Sequence, residues 1–595
     1  MAKGTAPGAD QDWWALWPGL FRKELAAFPR LEIAPRIVHK KNGVLILEAD
    51  WPVQGQTEPM LLRIGYSPLH PFFRPAVAAP NATFERHQNP LSRELCLLTQ
   101  EAGQWDSNQL VADFIQERLE HLLRALKARK DGRWGDAAGL EEQAADPLMP
   151  YFLGTSEEDS VILFDGQSGL PPGPYGLMEV VCSSRSSRTG AAFEGVLRQL
   201  KTSSGAAVGK RFGFPTESQD AQVLTGRWVK FTPPATTDAR ELLRLAEEEL
   251  ARQAVMQPGS VRKVNDAARG ALCITGIVFP EEVKYGPEKD GAGWVFLVER
   301  PALLDGTTGG APQLVLGERA GKDDIFSRLP VAKSLLPKKA VVVGAGAIGS
   351  FAGLELARAG VGEVTFLDFD TVQPGNSLRW PLGRSAWGRS KAAALANFIA
   401  ENYPWTRASF AQGRLGAAFT DVASLPDGSA NVLAPVFDLL RDTDVVVDAS
   451  ASEEVQLALA HHSKRLGVPY VIGYATHGVA GGVVARFLPD GEGCFVCLQE
   501  HWKDERIPEP RVDNAGLVIP VGCNAPTFTG GGFDLQEVSL EIVRTAVGLL
   551  SSGSYDPGGW TVAVLTLKNE DGFRTLPRWE GHPCPAHPKC CGAKR

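Results

Sequence analysis

The stretch KKAVVVGAGAIGSFAGLELARAG occupies residues 338–360 and decides the fold of the C-terminal half of this chain. The apolar run Ala340–Val343 predicts a buried strand, and the amphipathic segment after the glycines predicts a helix. Between them, Gly344-x-Gly346-x-x-Gly349 supplies a tight turn, a close backbone approach and close packing of helix on strand. The N-terminus of that helix would face an anion. The stretch therefore predicts a phosphate-binding turn in an α/β domain.

A set of polar residues follows the glycine motif. The stretch DFDTVQPGNSLRWPLGRSAWGRSKAAAL (368–395) begins about 20 residues on, with an acid placed to bind ribose hydroxyls. The glycines and this acid alone are shared with NAD-dependent dehydrogenases. The whole stretch also resembles the ubiquitin-activating enzymes and their bacterial relatives in thiamine and molybdopterin synthesis. Their shared pattern of Asp-x-Asp, Asn-x-x-Arg and a downstream Lys falls here on Asp368, Asp370, Asn376, Arg379 and Lys391.

This resemblance implies an enzyme that adenylates a carboxylate with ATP. The carboxylate attacks the α-phosphate and pyrophosphate leaves, so cationic side chains and Mg²⁺ must be aimed at the negative charge of the transition state. It assigns that role to Arg379 and Lys391. The segment DIFSR (324–328) resembles the family's arginine-finger segment, which reaches across a dimer interface. Arg328 is the expected finger, and the protein is expected to be at least a homodimer.

The stretch TDVVVDASASEEV (443–455) resembles the next strand of the same family. Asp448 matches the first acid of the family motif. The second acid, usually assigned to Mg²⁺, is replaced by Ala451. The metal ligand is therefore expected to be Asp370 or Asp448.

Two groups of cysteines have the spacing of metal ligands. Cys494-x-x-Cys497 lies near a predicted turn, and CPAHPKCC (584–591) lies close to the C-terminus. Two such pairs, far apart in sequence, are typical of a structural tetrahedral zinc site. The predicted ligands are Cys494, Cys497, Cys584 and Cys590, with His587 or Cys591 as alternatives for the fourth position.

Cys523 lies in the Gly- and Pro-rich stretch VGCNAPTFTGGGFD (521–534), just before a predicted helix. In the resembling enzymes a cysteine in this region takes the acyl group from the adenylate as a thioester. A thiolate suits this step because it is nucleophilic near neutral pH and later leaves well. The alternative is a buried structural cysteine.

The N-terminal stretch 65–105 resembles the ubiquitin-conjugating enzymes. A Pro-rich loop follows predicted strands, and the set His87-Gln88-Asn89, Cys96-Leu97 and Trp105 matches the family's His-Pro-Asn, Cys-Leu and Trp. Under this resemblance Cys96 carries a thioester and Asn89 holds the oxyanion as a lysine attacks. Gln88 replaces the usual proline, so the loop is expected to differ in shape. The alternative is that Cys96 is a small buried apolar residue.

Composition limits the remaining possibilities. The chain has 595 residues and a net charge of −8, which does not favour nucleic acid or an anionic membrane as a partner. No signal peptide is expected at the N-terminus, and clustered cysteines favour a cytoplasmic protein with reduced thiols. The predicted domains are a conjugating-like α+β domain (1–147), a mixed α/β middle domain of unknown role (148–320) and a doubly wound α/β, Rossmann-like adenylation domain (321–595).

Together the two resemblances imply a prokaryotic fusion of conjugating and activating enzymes of the kind found in anti-phage operons. The expected substrate is the C-terminal carboxylate of a ubiquitin-like protein or of a signalling nucleotidyltransferase, and the expected acceptor is a lysine. ATP, Mg²⁺ and structural Zn²⁺ are the expected cofactors. The alternatives are a sulfur-carrier adenylyltransferase of cofactor biosynthesis, a Rossmann dehydrogenase and a non-catalytic scaffold.

Overall fold

The computed structural model describes residues 12–591 except 55–56, 99–104, 141–144, 153–158, 188–189, 214–221, 232–235, 257–272, 285–290, 300–310, 412–414, 416–433, 514–516, 519–526 and 529. The chain divides into two compact units, Met1–Asp324 and Ile325–Arg595. Each unit has its own hydrophobic clusters. The three domain boundaries expected from the sequence stay predictions.

The first unit begins with a four-stranded antiparallel sheet in the order β1-β2-β3-β4, flanked by helices. Strands β2 and β3 alternate buried and exposed residues, so one face of the sheet packs on the core. Helices α2 and α3 bury their apolar stripes in that same core. The elements are α1 Trp13–Leu16, α2 Pro18–Arg30, β1 Arg36–Lys41, β2 Val44–Trp51, β3 Met60–Tyr66, β4 Ala76–Ala78, α3 Val111–Lys130 and α4 Trp134–Leu140.

An eight-stranded sheet follows in the first unit, in the order β5-β12-β11-β10-β9-β6-β7-β8. Because β5 also pairs with β7, the hydrogen-bonded order closes on itself, and we call this closed sheet the barrel. The elements are β5 Val161–Phe164, β6 Tyr175–Ser187, β7 Gly190–Thr202, β8 Ala207–Val208, β9 Gln222–Lys230, α5 Ala239–Met256, β10 Cys273–Glu281, β11 Gly291–Glu299 and β12 Gln313–Arg319.

Strand β11 of the barrel is covered on both faces. In β11, Trp294 and Phe296 belong to one buried cluster, whereas Val295 and Leu297 belong to a second cluster that includes α5. The described part of this region thus combines a closed sheet with one long helix, α5, and its assignment as a mixed α/β domain stays a prediction. Closure depends on β5 and β7, which are separated along the chain by a whole strand, so local patterns could not reveal it.

The second unit is built on an eight-stranded sheet in the order β15-β14-β13-β16-β17-β18-β21-β22. The first five strands are parallel, and the last three are antiparallel to their neighbours. The elements are α6 Lys322–Phe326, α7 Ala332–Leu335, β13 Lys339–Val343, α8 Gly349–Arg358, β14 Glu363–Leu367, α9 Lys391–Asn402, β15 Arg407–Ala411, α10 Ala434–Arg441, β16 Val445–Asp448, α11 Glu453–Leu466, β17 Tyr470–Ala475, β18 Gly481–Phe487, α12 Phe495–Lys503, β19 Leu517–Val518, β20 Thr527–Phe528, α13 Gly532–Leu550, β21 Val562–Lys568 and β22 Arg574–His582.

The order of this sheet fixes where a ligand can bind. Chain order runs from β13 through β14 to β15 in one direction, and then restarts at β16 on the other side of β13. Open parallel sheets bind ligands at such a reversal, outside the carboxyl ends of the strands. The doubly wound Rossmann-like sheet predicted from the sequence is confirmed. In the part of the chain that the structure describes, no helix combines the length and apolarity needed to cross a bilayer.

Candidate active site

The glycine motif forms the turn between β13 and α8, and each glycine is required for a different reason. Gly344 has φ +84°, and a Cβ there would lie 2.7 Å from the Ser450 Cα. A Cβ at Gly349 would lie 1.9 Å from the Gly344 carbonyl oxygen, so helix and strand meet backbone to backbone. A Cβ at Gly346 would have nothing within 4 Å, which leaves open space beside the turn. These are the three roles of glycine in a phosphate-binding turn.

A continuous hydrogen-bonded network joins the predicted polar residues to this turn. Asp368 accepts from the backbone N–H of Ala345 (2.6 Å) and from that of Asp370 (2.7 Å). Lys391 donates through Nζ to Asp370 Oδ2 at 2.5 Å and through its backbone N–H to the Asp370 carbonyl at 3.0 Å. Each Asp368 oxygen keeps a second lone pair, so this acid can still accept from a ribose hydroxyl. The structure thus brings Asp368, Asp370 and Lys391 together at the glycine turn.

Trp380 is a residue of this site that the sequence reasoning missed. Its buried indole N–H donates to the Ala345 carbonyl at 2.8 Å, which ties the segment after β14 to the glycine turn. Asn376 caps the short helical turn before it, because its side-chain oxygen accepts from the Gln373 N–H at 2.9 Å. The only sequence signal for Trp380 was a large aromatic residue directly after Arg379 in a polar loop.

The two predicted arginines lie in different settings. Arg379 directly precedes Trp380 and is half-buried, and its Cα lies 3.2 Å from the position of a Cβ built on Gly532, the first residue of α13. Arg379 therefore lies at the carboxyl edge of the sheet, beside the glycine turn. Arg328 is exposed, just beyond the end of α6. Its role as a finger that reaches into the site of a second copy stays a prediction.

Asp448 is fully buried, and both of its oxygens are engaged within the protein. Oδ1 accepts from the Ser450 N–H at 2.9 Å, and Oδ2 accepts from the Tyr470 hydroxyl at 2.8 Å. Burial raises the pKa of this carboxyl, against the opposing effect of these hydrogen bonds. These hydrogen bonds tie Asp448 to the loop after β16 and to β17, and its role as a metal ligand stays a prediction. Asp370 also has both oxygens engaged, by the Lys391 Nζ and by the Thr371 N–H at 2.8 Å, but its side chain is 41% exposed, so it is the more accessible of the two expected Mg²⁺ ligands.

Four cysteine sulfurs converge beside α12. The Cys494 Sγ lies 3.7 Å from that of Cys497 and 3.5 Å from those of Cys590 and Cys591, and the last two are 3.8 Å apart. With Zn–S bonds of about 2.3 Å, tetrahedral geometry requires S···S separations of about 3.8 Å. All four sulfurs lie within 4.8 Å of one another. The set therefore fits a structural zinc ion, and we call it the four-cysteine cluster.

The cluster differs from the predicted ligand set at one position. Cys584 lies buried beside the cluster but is not one of the four, and burial raises the pKa of its thiol to about 12. Cys591 takes its place. His587 is not available either, because its Nδ1 accepts from the Lys589 N–H and its Nε2 lies 2.9 Å from Asp504. Sequence spacing could not separate Cys584 from Cys591, since both lie in the same short cysteine-rich tail.

The cluster also favours the thiolate that a metal requires. Burial acts to raise the pKa of Cys497, but backbone N–H groups, including that of His587, donate to its sulfur and lower the pKa to about 6. Binding of zinc to the other thiols would release their protons.

Zinc content provides a direct check of this ligand set. We expect the purified chain to hold about one zinc ion, and Cys591→Ser to lose it because a tetrahedral site needs its fourth thiolate. Cys584→Ser is the matched control and is expected to retain the metal. Elemental analysis of the two variants decides the question. Loss of zinc from Cys584→Ser with retention in Cys591→Ser would restore the ligand set expected from the sequence.

The two predicted thioester cysteines differ in what the structure shows of them. Cys523 lies outside the described residues. Cys96 is exposed, on a loop that pairs with residues 87–89, and its backbone N–H donates to the His87 carbonyl at 2.7 Å. Its thiol lies 3.1 Å from the Leu98 carbonyl. The interpretation of Cys96 as a small buried residue is therefore wrong.

The side chain of Gln88 holds the loop at His87–Asn89. The buried Gln88 carboxamide accepts from the Phe84 N–H at 2.8 Å and donates to the carbonyls of Ala79 and Ala82. Hydrogen bonds thus fix the backbone of this loop at the position where the resemblance stated above expects a proline. The Asn89 side-chain oxygen accepts from two backbone N–H groups at 2.9 and 3.1 Å, which leaves its amide group to donate.

Comparison with known proteins gives one family and several relatives. Residues 321–553 match the ThiF family. The chain is 45% identical to the uncharacterized protein y4oA of Sinorhizobium fredii, over 99% of both chains. It is 30% identical to the molybdopterin-synthase adenylyltransferase of Escherichia coli, over 33% of this chain and 68% of that protein.

A third relative is named as an ATP-dependent ubiquitin transferase-like protein, Cap2, of Enterobacter hormaechei. It is 27% identical over 36% of this chain and 33% of its own length. The likeness to the adenylyltransferase of Escherichia coli extends over about two thirds of that protein.

Proposed function

Because this chain belongs to the ThiF family of ATP-dependent adenylyltransferases, we propose that it activates the C-terminal carboxylate of a partner protein at the turn Gly344–Gly349. The observation that carries this proposal is the network that joins the turn to Asp368, Asp370 and Lys391. It places an anion-binding helix N-terminus and a buried cation at one edge of the sheet. A dehydrogenase would also need the glycines and Asp368 to bind its dinucleotide. Its hydride transfer would not require the cation that Lys391 supplies at this edge.

The chemistry follows from the charges at this edge. The ATP phosphates would lie over the N-terminus of α8, in the open space at Gly346, and the ribose beside Asp368. A carboxylate oxygen of the partner attacks the α-phosphorus, and the bond to pyrophosphate breaks. Lys391 and Arg379 would stabilise the added negative charge. Asp370 would hold Mg²⁺, whose charge would offset that of the phosphates.

We extend the proposal to two thioesters on one polypeptide. The Cys523 thiolate attacks the acyl-adenylate carbonyl and AMP leaves. The acyl group passes to Cys96, and a lysine amine then attacks that thioester to form an amide and release the thiol. The exposure of Cys96 beside His87–Asn89 supports this, as does the likeness to Cap2. The same proposal includes a role in bacterial anti-phage defence. It also includes a homodimer in which Arg328 of one copy reaches into the ATP site of the other.

A gel assay tests the relay. The chain is mixed with ATP, Mg²⁺ and the protein encoded by the neighbouring gene, and resolved without reducing agent. We expect a thiol-sensitive adduct in the wild type, no adduct in Cys523→Ala, and in Cys96→Ala an adduct at Cys523 without any conjugate. Cys182→Ala, in the barrel, is the matched control and should behave as wild type. Absence of any thiol-sensitive adduct with a partner that is adenylated would contradict the relay.

A sulfur-carrier adenylyltransferase is the second candidate. The likeness to the molybdopterin-synthase adenylyltransferase of Escherichia coli favours it. It requires the adenylation site but has no use for Cys96. Full product formation by Cys96→Ala would therefore favour this candidate over the relay.

A further inference from the structure

A buried ion pair joins the barrel to residues 86–96, which we call the Cys96 loop. Arg86, which directly precedes His87, lies with its Nη2 3.0 Å from Oε1 of Glu282, the residue that follows β10. Both side chains are 1% exposed. A charge pair removed so completely from water costs several kcal/mol of desolvation per ion before any attraction is counted. The pair is therefore weak evidence of added stability, but it restricts where Arg86 can lie.

A second carboxylate holds the same loop. The backbone N–H of His87 donates to Asp146 Oδ2 at 2.7 Å, and the other Asp146 oxygen accepts from the Tyr151 hydroxyl at 3.3 Å. His87 has φ +56°, in the left-handed region. A non-glycine residue keeps this conformation only where surrounding contacts hold it, and such residues cluster at functional sites.

The two contacts hold Arg86 and His87, and His87 is hydrogen-bonded to the backbone of Cys96. The His87 carbonyl accepts the Cys96 N–H, and the Asn89 N–H donates to the Glu94 carbonyl at 2.7 Å. A shift of His87 would therefore move Cys96 relative to Asn89. The pKa of Tyr151 is raised by burial, then by the charge of Asp146 and then by that of Cys96, which places Tyr151 in the same surroundings.

The end of β10 also holds the segment that carries these groups. Glu281 accepts from the Met149 N–H at 2.8 Å and pairs with Arg319 at 3.1 Å. Two adjacent residues at the end of β10 thus contact the chain on either side of Asp146. Glu282 pairs with Arg86, before Asp146 in the sequence, and Glu281 accepts from the Met149 N–H, after it.

We propose that Glu282, at the end of barrel strand β10, and Asp146, in the segment before the barrel, are positioning residues for the Cys96 loop. The pair Arg86–Glu282 and the bond from His87 to Asp146 hold His87 in its left-handed conformation, and His87 sets the distance between the Cys96 thiol and the Asn89 amide. This rests on the proposed transfer from Cys96. Neither carboxylate touches the acyl group, so the expected effect is on rate.

The test bypasses the unidentified partner. In a Cys523→Ala background, the benzyl thioester of acetyl-Gly-Gly loads Cys96 by thiol exchange, with release of benzyl mercaptan. Free lysine then discharges the acyl group, and mass spectrometry follows the loss. Signal that also appears in the Cys96→Ala variant is subtracted. The variants are Glu282→Gln, Arg86→Met/Glu282→Leu and, as a matched control, Glu24→Gln, a fully buried acid that accepts from the Val111 N–H.

Rate and stability are expected to separate. Glu282→Gln should slow the discharge by about tenfold at unchanged KM for lysine, because one misplaced group costs about that much or more. Glu282→Gln also takes the opposite charge away from the buried Arg86, so it should lower Tm. The double variant removes both charges, so its Tm should return towards that of the wild type while the discharge stays slow. Glu24→Gln should lower Tm and keep the rate.

The outcomes that overturn the proposal are specific. If discharge follows Tm across all variants, or if the double variant regains both, the pair is only structural. A wild-type Cys96 thioester that reacts with lysine no faster than free acetyl-Gly-Gly benzyl thioester would instead contradict transfer from Cys96. The two failures are thus distinguishable.

Discussion

Lys391→Ala is expected to slow ATP–pyrophosphate exchange by about 10²–10³-fold, the usual cost of removing one preorganised group that stabilises transition-state charge. Lys391 is only 9% exposed, and its Nζ is held 2.5 Å from Asp370 at the edge where the phosphates would lie. An alanine leaves that carboxylate without its cation and removes one of the positive charges proposed to stabilise the transition state. Exchange is measured with the partner protein present.

The control for this prediction is Lys503→Ala. Lys503 donates to Glu500 at 2.6 Å but is exposed on α12, so its ion pair contributes little. It should leave exchange unchanged. Lys391→Arg keeps the charge with different geometry and is expected to recover part of the activity. Exchange by Lys391→Ala within about twofold of wild type, with Tm preserved, would remove Lys391 from the reaction.

The sequence could predict the parts of the site that depend on local chemistry. Gly344, Gly346 and Gly349 were predictable because backbone sterics admit only glycine at a tight turn and at a close helix–strand approach. The parallel sheet was predictable from alternating strands and helices. The partners of Asp448 were not, because which side chains pack around a buried acid depends on the tertiary fold. The Tyr470 hydroxyl comes from the neighbouring strand β17 and has no sequence signature.

The same limit applies to contacts between distant segments. Cys584 and Cys591 are equivalent by composition, and only the path of the chain after β22 selects one for the cluster. Arg86 and Glu282 are nearly 200 residues apart, and the sequence around each would predict an exposed charged side chain. Burial of both can be known only once the barrel closes, since β10 must end beside the Cys96 loop.

Gly349→Ala and Gly346→Ala are expected to differ sharply, although they make the same change three residues apart. A Cβ at Gly349 would lie 1.9 Å from the Gly344 carbonyl oxygen, and backbone must move to admit it. We expect a loss of about 3 kcal/mol from the second unit, as for severe overpacking, and a fall in Tm of about 6–10 °C. At Gly346 a Cβ meets nothing, so stability should change by less than about 0.5 kcal/mol.

Gly346→Ala, which should leave stability unchanged, is expected to weaken ATP binding. The methyl group of Gly346→Ala would occupy the open space into which the phosphates approach the turn, so the Kd for ATP should rise at least about tenfold in a fully folded protein. Calorimetry of unfolding and equilibrium binding of ATP separate the two effects. A Gly346→Ala chain that binds ATP as tightly as wild type would show that the phosphates do not lie over this turn. The adenylation site would then have to be sought elsewhere along the carboxyl edge of the sheet.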